Sequence, residues 1–306
     1  MALKFTTLDV FTDRPFGGNP LAVFCDQPEL PDALMQNIAR EFNLSETVFI
    51  VPARDPRALR RLRIFTTHLE LPFAGHPTIG AVHTLVESGI ANISATGGEF
   101  ALELAVGLVP IKVRRPENGP PFLQLTAARL PEAGTSTPTR AQLARLLSLH
   151  ENDICADGHD TAQAYSCGVP FLFVPVRDRA ALAKAAPDGA AWKELLAGAW
   201  AQQTFVFCRD PELAGSNLRA RMFAPGFGIT EDAATGSAAA AFGGYLAERE
   251  ANRDGTLRWV VEQGFEMGRP SILHVESDVV DGKVKAVRVG GTAVRMSEGT
   301  LAIDVP

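Results

Sequence analysis

Three side chains in this sequence are candidates for acid–base chemistry: Glu46, His76 and Asp232. Glu46 directly precedes the mainly apolar run 47–51, and an apolar wall raises the pKa of a carboxylate towards working pH. Such a carboxylate can take a proton from one carbon and return it to another carbon on the same face. On the residues alone, a helix-capping or solvated strand-end glutamate is the simpler interpretation.

His76 stands at the predicted start of a helix, where the helix dipole opposes protonation of the imidazole. A neutral imidazole there can relay a proton or orient a hydroxyl group. A satisfied structural histidine is the alternative, and it is the interpretation kept for His68, His83, His150, His159 and His274. Asp232 precedes a second predicted helix, where it can hold His76, bind a substrate amino group or cap the helix.

Two segments of small residues, 74–85 and 232–246, each read as a turn followed by a buried helix. When they are aligned, Gly75 matches Gly236 and His76 matches Ser237. The repeat predicts two similar halves whose helix N-termini face a shared cleft, with N–H donors near Gly75, Gly236 and Ser237 open to a carboxylate. The alternative for the second segment is a buried helix capped by Asp232 or Thr235.

Many short strands surround these two helices, which predicts an α+β protein of two pseudo-symmetric domains, each a curved sheet around one central helix. The proline-rich stretch 115–121 is the predicted linker, so the halves are placed at 1–118 and 119–295, with a final strand near 296–306 as a candidate to return to the first half. Periodicity also predicts a helix over 31–42 with Leu34, Ile38 and Phe42 on one stripe, and a hairpin turning at Gly107. The last predicted strand covers 301–305.

Composition excludes several classes of protein. The 306 residues are 46% hydrophobic and 21% charged, as in ordinary globular proteins, and the net charge of -6 with no basic run disfavours nucleic-acid partners. No apolar run reaches the length of a membrane span. The four cysteines are scattered without a CxxC pair, which disfavours a zinc cluster and suits a cytoplasmic location.

Together, nine stretches of the sequence resemble the PhzF family, which is named for an isomerase of phenazine biosynthesis. In chain order they are residues 9–11, 16–20, 43–49, 65–67, 70–80, 223–225, 231–238, 262–264 and 267–271. Each motif is short, but the set follows the family's order over nearly the whole chain. One departure is Ala233, where the family commonly has proline, and a less rigid turn is the expected result.

The resemblance implies a diaminopimelate-epimerase-like fold and a cofactor-independent isomerase, usually a homodimer. It implies a proton shift on a small carboxylate-bearing substrate, such as trans-2,3-dihydro-3-hydroxyanthranilate, with no metal. It also implies Glu46, His76 and Asp232 as catalytic residues. Substrate contacts are expected from Asn19, Gly75, Gly236 and Ser237.

Related epimerases and proline racemases use one cysteine in each half, and this sequence has none at either helix start. A thiol-based racemase is therefore disfavoured, whereas one carboxylate that takes and returns the proton fits. Two alternatives stay open: a non-catalytic member of the fold that binds a small molecule or a protein, and an amino-acid racemase or epimerase without thiols.

Overall fold

The structure is a computed structural model that describes residues 3–25, 30–155, 158–251 and 254–303. The chain forms two units: unit 1 comprises Met1–Ala128 and Gly290–Pro306, and unit 2 comprises Arg129–Val289.

The secondary structure is numbered along the chain. The elements before Ala128 are β1 (Leu3–Val10), β2 (Asn19–Phe24), α1 (Asp32–Phe42), β3 (Thr47–Val51), β4 (Arg60–Phe65), β5 (Glu70–Leu71), α2 (Gly75–Glu87), β6 (Gly97–Leu104), β7 (Gly107–Arg114) and β8 (Phe122–Thr126). They are followed by β9 (Glu132–Ala133), α3 (Arg140–Leu146), β10 (Gln163–Ser166), β11 (Pro170–Pro175), α4 (Arg179–Lys184), α5 (Gly189–Leu195), β12 (Thr204–Cys208), β13 (Leu218–Ala224), β14 (Ile229–Asp232), α6 (Gly236–Ala247), β15 (Gly255–Gln263), β16 (Ser271–Val280), β17 (Lys283–Gly291) and β18 (Ala293–Leu301). One-turn 3-10 helices lie at Glu151–Asp153 and Pro225–Phe227.

Unit 1 is a mixed sheet against a buried helix. β2 pairs antiparallel with β1 and parallel with β3, β3 is antiparallel to β4, and β18 is antiparallel to β1. The predicted hairpin is present, because β6 and β7 pair antiparallel with Leu104 opposite Gly107. α2 packs against β1, β2, β3, β4, β8 and β18, and all of its residues except His83 and Glu87 are buried.

α1 covers part of the other apolar surface of this sheet. It buries Met35, Ile38 and Ala39 against a cluster that includes Phe24 and Phe49. The predicted stripe is therefore turned slightly, since Leu34 and Phe42 pack at the margin of the cluster and are only half-buried. The 3.6-residue period predicts which face of the helix is apolar, but it does not predict which of two adjacent rows of side chains on that face is buried deepest.

Unit 2 repeats the plan with its own strands and helix. β10 is antiparallel to β11, β11 is parallel to β12, β12 is antiparallel to β13, and β15 is antiparallel to β16. All residues of α6 except Ser237 are buried. Its Phe242 and Tyr245 pack among the aromatic rings of Tyr165, Phe173, Phe205 and Phe207. The α+β class and the pairing of a sheet with one buried helix are as predicted.

The chain end differs from the sequence prediction. Up to residue 303, where the described residues end, the last strand is β18, which ends at Leu301, so the strand predicted over 301–305 is wrong for residues 302 and 303. Residues 304–306, which fall in the predicted final strands, lie outside the described residues. The strand starts at Ala293, earlier than predicted, and its polar residues Arg295, Ser297 and Glu298 interrupt the apolar pattern.

Candidate active site

Glu46 lies between a helix end and a buried strand. α1 ends at Phe42, and Asn43 is its C-cap residue. The Asn43 N–H donates to the Ala39 carbonyl, and its left-handed backbone (φ 49°) turns the chain away from the helix. The next strand, β3, is buried over its whole length. The Glu46 side chain, just before the amino end of β3, is only 12% exposed. The mainly apolar run that follows Glu46 in the sequence is thus a buried strand in the structure.

Asn19 opens β2 at the same edge of the sheet. β2 and β3 are parallel, with Ala22 opposite Thr47, so Asn19 and Glu46 both lie at the amino ends of the two strands. The turn before Asn19 is tight: Gly18 has φ +62°, and a Cβ there would lie 2.3 Å from the Val10 carbonyl oxygen. Asp9 accepts a hydrogen bond from the Phe16 N–H at 2.8 Å, which holds the same turn.

His76 is the second residue of α2, and the helix start delivers it to this edge. Pro77 follows in the first turn, where a missing backbone N–H costs nothing. The buried Thr78 hydroxyl donates to the Ala74 carbonyl at 2.7 Å and fastens that turn. The imidazole is 3% exposed.

These three side chains meet within unit 1. Asn19 Nδ2 lies 3.2 Å from His76 Nδ1, and His76 Nε2 lies 3.4 Å from Glu46 Oε2. Burial lowers the pKa of His76 from 6.5 to about 3, so its imidazole is neutral at working pH. The neutral state agrees with the sequence prediction, although the cause is burial rather than the helix dipole.

Asp232 is part of a hydrogen-bond network in unit 2. It ends β14 and is buried, and it accepts a hydrogen bond from the Thr235 hydroxyl at 2.6 Å. Thr235 is the residue at the N-cap position of α6, but its side chain makes no capping hydrogen bond. Capping by the Thr235 side chain is therefore wrong, because the threonine hydroxyl donates to the Asp232 carboxylate instead.

Gln263 supports this turn, and the sequence analysis gave it no role. Its amide nitrogen donates to the Asp232 carbonyl at 2.8 Å and to the Thr235 hydroxyl at 3.0 Å, and its amide oxygen accepts from the Thr235 N–H at 3.0 Å. The register of β13 brings the two segments together, because Ala220 pairs with Gln263 and Met222 pairs with Asp232. Gln263 is distant in sequence from Asp232 and Thr235, so the contact between them becomes visible only when the order of the strands is known.

The predicted backbone donors lie at the two helix starts. α2 begins at Gly75 and α6 at Gly236, as the aligned repeat predicted, and no side-chain cap is present at either N-cap residue. Ser237, the match of His76, is half-buried. Within the described ranges, no group of three or more His, Cys, Asp or Glu side chains is arranged to hold a metal ion.

Comparison with known proteins identifies the family. A family model described as phenazine biosynthesis-like protein, PhzC-PhzF, matches residues 8–299. The chain belongs to this family. The resemblance read from its motifs is thereby confirmed.

Two relatives that match over nearly the full length are named isomerases. A protein of Mesorhizobium japonicum named an uncharacterised isomerase is 41% identical over 98% of this chain and 99% of its own length. The trans-2,3-dihydro-3-hydroxyanthranilate isomerase of Pseudomonas aeruginosa is 32% identical over 97% of this chain and 98% of its own. The chain is an enzyme of this isomerase family.

Solved structures agree on the fold. A PhzF-family phenazine biosynthesis protein of Bacillus anthracis is 26% identical, with a TM-score of 0.88 over 99% of this chain and 100% of that one. A probable proline racemase of Agrobacterium radiobacter has a TM-score of 0.68 at 16% identity and shows the fold alone. Among the described helices, none combines the length and apolar character needed to cross a membrane.

Proposed function

We propose that this enzyme is a cofactor-independent isomerase that moves a proton between two carbons of a small substrate bearing a carboxylate. The observation that carries the proposal is the pair formed by Glu46 and His76, a mostly buried carboxylate whose Oε2 lies 3.4 Å from a neutral imidazole. Family membership supports the reaction class. The substrate of the Pseudomonas aeruginosa relative, trans-2,3-dihydro-3-hydroxyanthranilate, is the first candidate.

Glu46 acts as the single acid–base group in this proposal. Its carboxylate removes a proton from an acidic carbon, and the electron pair of the broken C–H bond moves into the adjoining unsaturated system. The glutamic acid so formed then gives the proton to a second carbon. The new C–H bond uses an electron pair of the unsaturated system, and loss of the proton restores the carboxylate. Atoms and charge balance without an oxidant, a reductant or a second base.

The remaining predicted residues bind and orient. His76 and Asp232 position and polarise the substrate, and Asn19 makes a polar contact. We assign the substrate carboxylate to backbone N–H groups near Gly75, Gly236 and Ser237, where helix N-termini favour an anion. A homodimer and a cytoplasmic location complete the proposal.

Cysteine chemistry fits the structure poorly. The helix starts carry Gly75 and His76 in unit 1 and Gly236 and Ser237 in unit 2. Burial raises the pKa of Cys167 to about 12 and that of Cys208 to about 11, which disfavours their thiolates. The proton chemistry is therefore assigned to Glu46 rather than to a thiol pair.

The test is incubation in D2O with trans-2,3-dihydro-3-hydroxyanthranilate and a panel of small unsaturated amino and hydroxy carboxylates. We expect one compound to isomerise and to carry deuterium at the carbon that receives the proton, read by NMR and mass spectrometry. Binding of a panel member without isomerisation or exchange would contradict the proposal and favour a non-catalytic binding protein. Loss of optical activity without a shift of unsaturation would favour a racemase.

A further inference from the structure

The contact between Asn19 and His76 fixes which ring nitrogen carries a hydrogen. Asn19 Nδ2 lies 3.2 Å from His76 Nδ1. An amide nitrogen only donates, so Nδ1 must accept and cannot carry a hydrogen. A neutral imidazole has one N–H group, and burial keeps this ring neutral by lowering its pKa to about 3. The hydrogen must therefore be on Nε2.

The hydrogen on His76 Nε2 is directed towards Glu46, the proposed base. His76 Nε2 lies 3.4 Å from Glu46 Oε2. That separation is longer than a normal hydrogen bond, and catalytic contacts of this kind commonly tighten when substrate binds. The imidazole thus faces Glu46 as a donor, and a carboxylate oxygen can accept its hydrogen.

The backbone holds Asn19 where it can impose this tautomer. It is 1% exposed and pairs with Val10 of β1 in the antiparallel hairpin. Asn19 follows the tight turn at Gly18, where a Cβ would clash with the Val10 carbonyl, so the backbone just before Asn19 has little conformational freedom. His76 is fixed by the first turn of α2, so both partners are held by secondary structure rather than by a loose loop.

We infer that Asn19 is a positioning residue that holds His76 in its Nε2–H tautomer, with the hydrogen directed at Glu46. The meaning of this for catalysis rests on the proposed function, whereas the tautomer itself does not. His76 then serves as a hydrogen-bond donor to the carboxylate or to an oxygen of the substrate. It does not accept a proton at Nε2, which leaves Glu46 as the only base of the three.

The direct test is 15N NMR of the wild-type enzyme, because it needs no substrate. The chain has six histidines, so labelled rings give few signals, and the spectrum of His76→Gln identifies those of His76. We expect at neutral pH an unprotonated Nδ1, a protonated Nε2 and a scalar coupling across the hydrogen bond from the Asn19 amide nitrogen to Nδ1. A protonated Nδ1 would overturn the inference.

Asn19→Asp tests the cause. An ionised carboxylate only accepts, so Nδ1 should gain a hydrogen, while His83 on the same helix serves as the internal reference. Isomerase activity should fall, by up to about 10⁴-fold, the loss when a catalytic histidine is held in the wrong tautomer. A variant that folds with Nδ1 unprotonated and retains wild-type turnover would overturn the assignment of Asn19.

The two proposals fail separately. If Glu46→Gln exchanged protons like wild type while His76 kept its Nε2–H tautomer, the proposed function would fall and the assignment of Asn19 would stand. If Glu46 proved essential while Nδ1 carried the hydrogen, only the role of Asn19 would fall.

Discussion

Two buried side chains, Glu46 and His76, carry most of the argument for activity, and they differ in how burial affects them. Glu46 lies at the amino end of a buried strand, and 12% of its side chain is exposed. The imidazole of His76 is almost fully enclosed and is neutral. A carboxylate beside a neutral donor can change its protonation state during a reaction without creating an ion pair.

The buried histidine predicts a dependence of stability on pH. Its pKa is 6.5 when exposed and about 3 in the folded protein. Below pH 6.5 the unfolded chain binds a proton that the folded protein excludes, so the stabilising contribution is complete above that pH and is lost as the pH falls towards 3. The loss approaches about 1.4 kcal/mol per pH unit inside this window.

Urea unfolding of wild type and His76→Gln, at neutral pH and at about pH 5, measures this effect. The wild type should lose more stability than the variant between the two conditions, because the variant has no histidine at that position. Equal losses in the two proteins would contradict a buried neutral imidazole.

At the scale of elements, the strand register explains how distant segments support one turn. β14 and the end of β15 pair with neighbouring residues of β13, which places Gln263 against the turn that follows Asp232. β14 and the end of β15 thereby stabilise the start of α6, and this support is called the brace below. Such a brace is needed because a small-residue helix has few side chains with which to anchor its own first turn.

Gln263→Leu should destabilise unit 2. The change keeps a similar size but removes three buried hydrogen bonds to the turn, so the expected cost in free energy of unfolding is at least about 2 kcal/mol. Gln36→Leu is the comparison, because the half-buried Gln36 makes one such bond, to the Thr66 carbonyl, and should cost about 1 kcal/mol or less. Similar losses for the two variants, measured by urea unfolding, would argue against the brace.

Glycine within α6 permits close packing. A Cβ at Gly244 would lie 2.2 Å from the Cβ of Pro131, whose ring cannot rotate away. Gly244→Ala should therefore cost about 1 to 3 kcal/mol despite the better helix propensity of alanine. Gly189, in the first turn of α5, has nothing within 4 Å of the same atom, and Gly189→Ala should be neutral or stabilising. Thermal unfolding of the pair tests this, and an unchanged or higher melting temperature for Gly244→Ala would refute the close contact.

At the scale of the whole molecule, hydrophobic pattern and the internal repeat predicted much of the architecture. The repeat placed the starts of α2 and α6 at Gly75 and Gly236, where they are observed, because small residues in a charge-free run signal a buried helix. The short strands β9, β10 and β14 were not predicted. Each has at most four residues, too few to show an alternating pattern.

The sequence names candidate site residues but does not predict the contacts between them. Glu46, His76 and Asn19 were each named from motifs, yet nothing in the sequence indicates that the Asn19 amide contacts Nδ1 of the histidine. That contact depends on the parallel pairing of β2 with β3 and on the approach of α2 to the sheet. The roles of all seven candidate residues stay predictions, to be tested on the intact enzyme.

The central claim is that Glu46 transfers the proton, and substitution by glutamine tests it most directly. Glu46→Gln keeps the size and removes the acid–base group, while Glu41→Gln, at an exposed position of α1, is the matched control. With the panel compound that the wild type isomerises in D2O, we expect the rate of deuterium incorporation to fall by about 10² to 10⁴ in Glu46→Gln and to be unchanged in the control. A folded Glu46→Gln enzyme that incorporates deuterium at the wild-type rate would contradict the account.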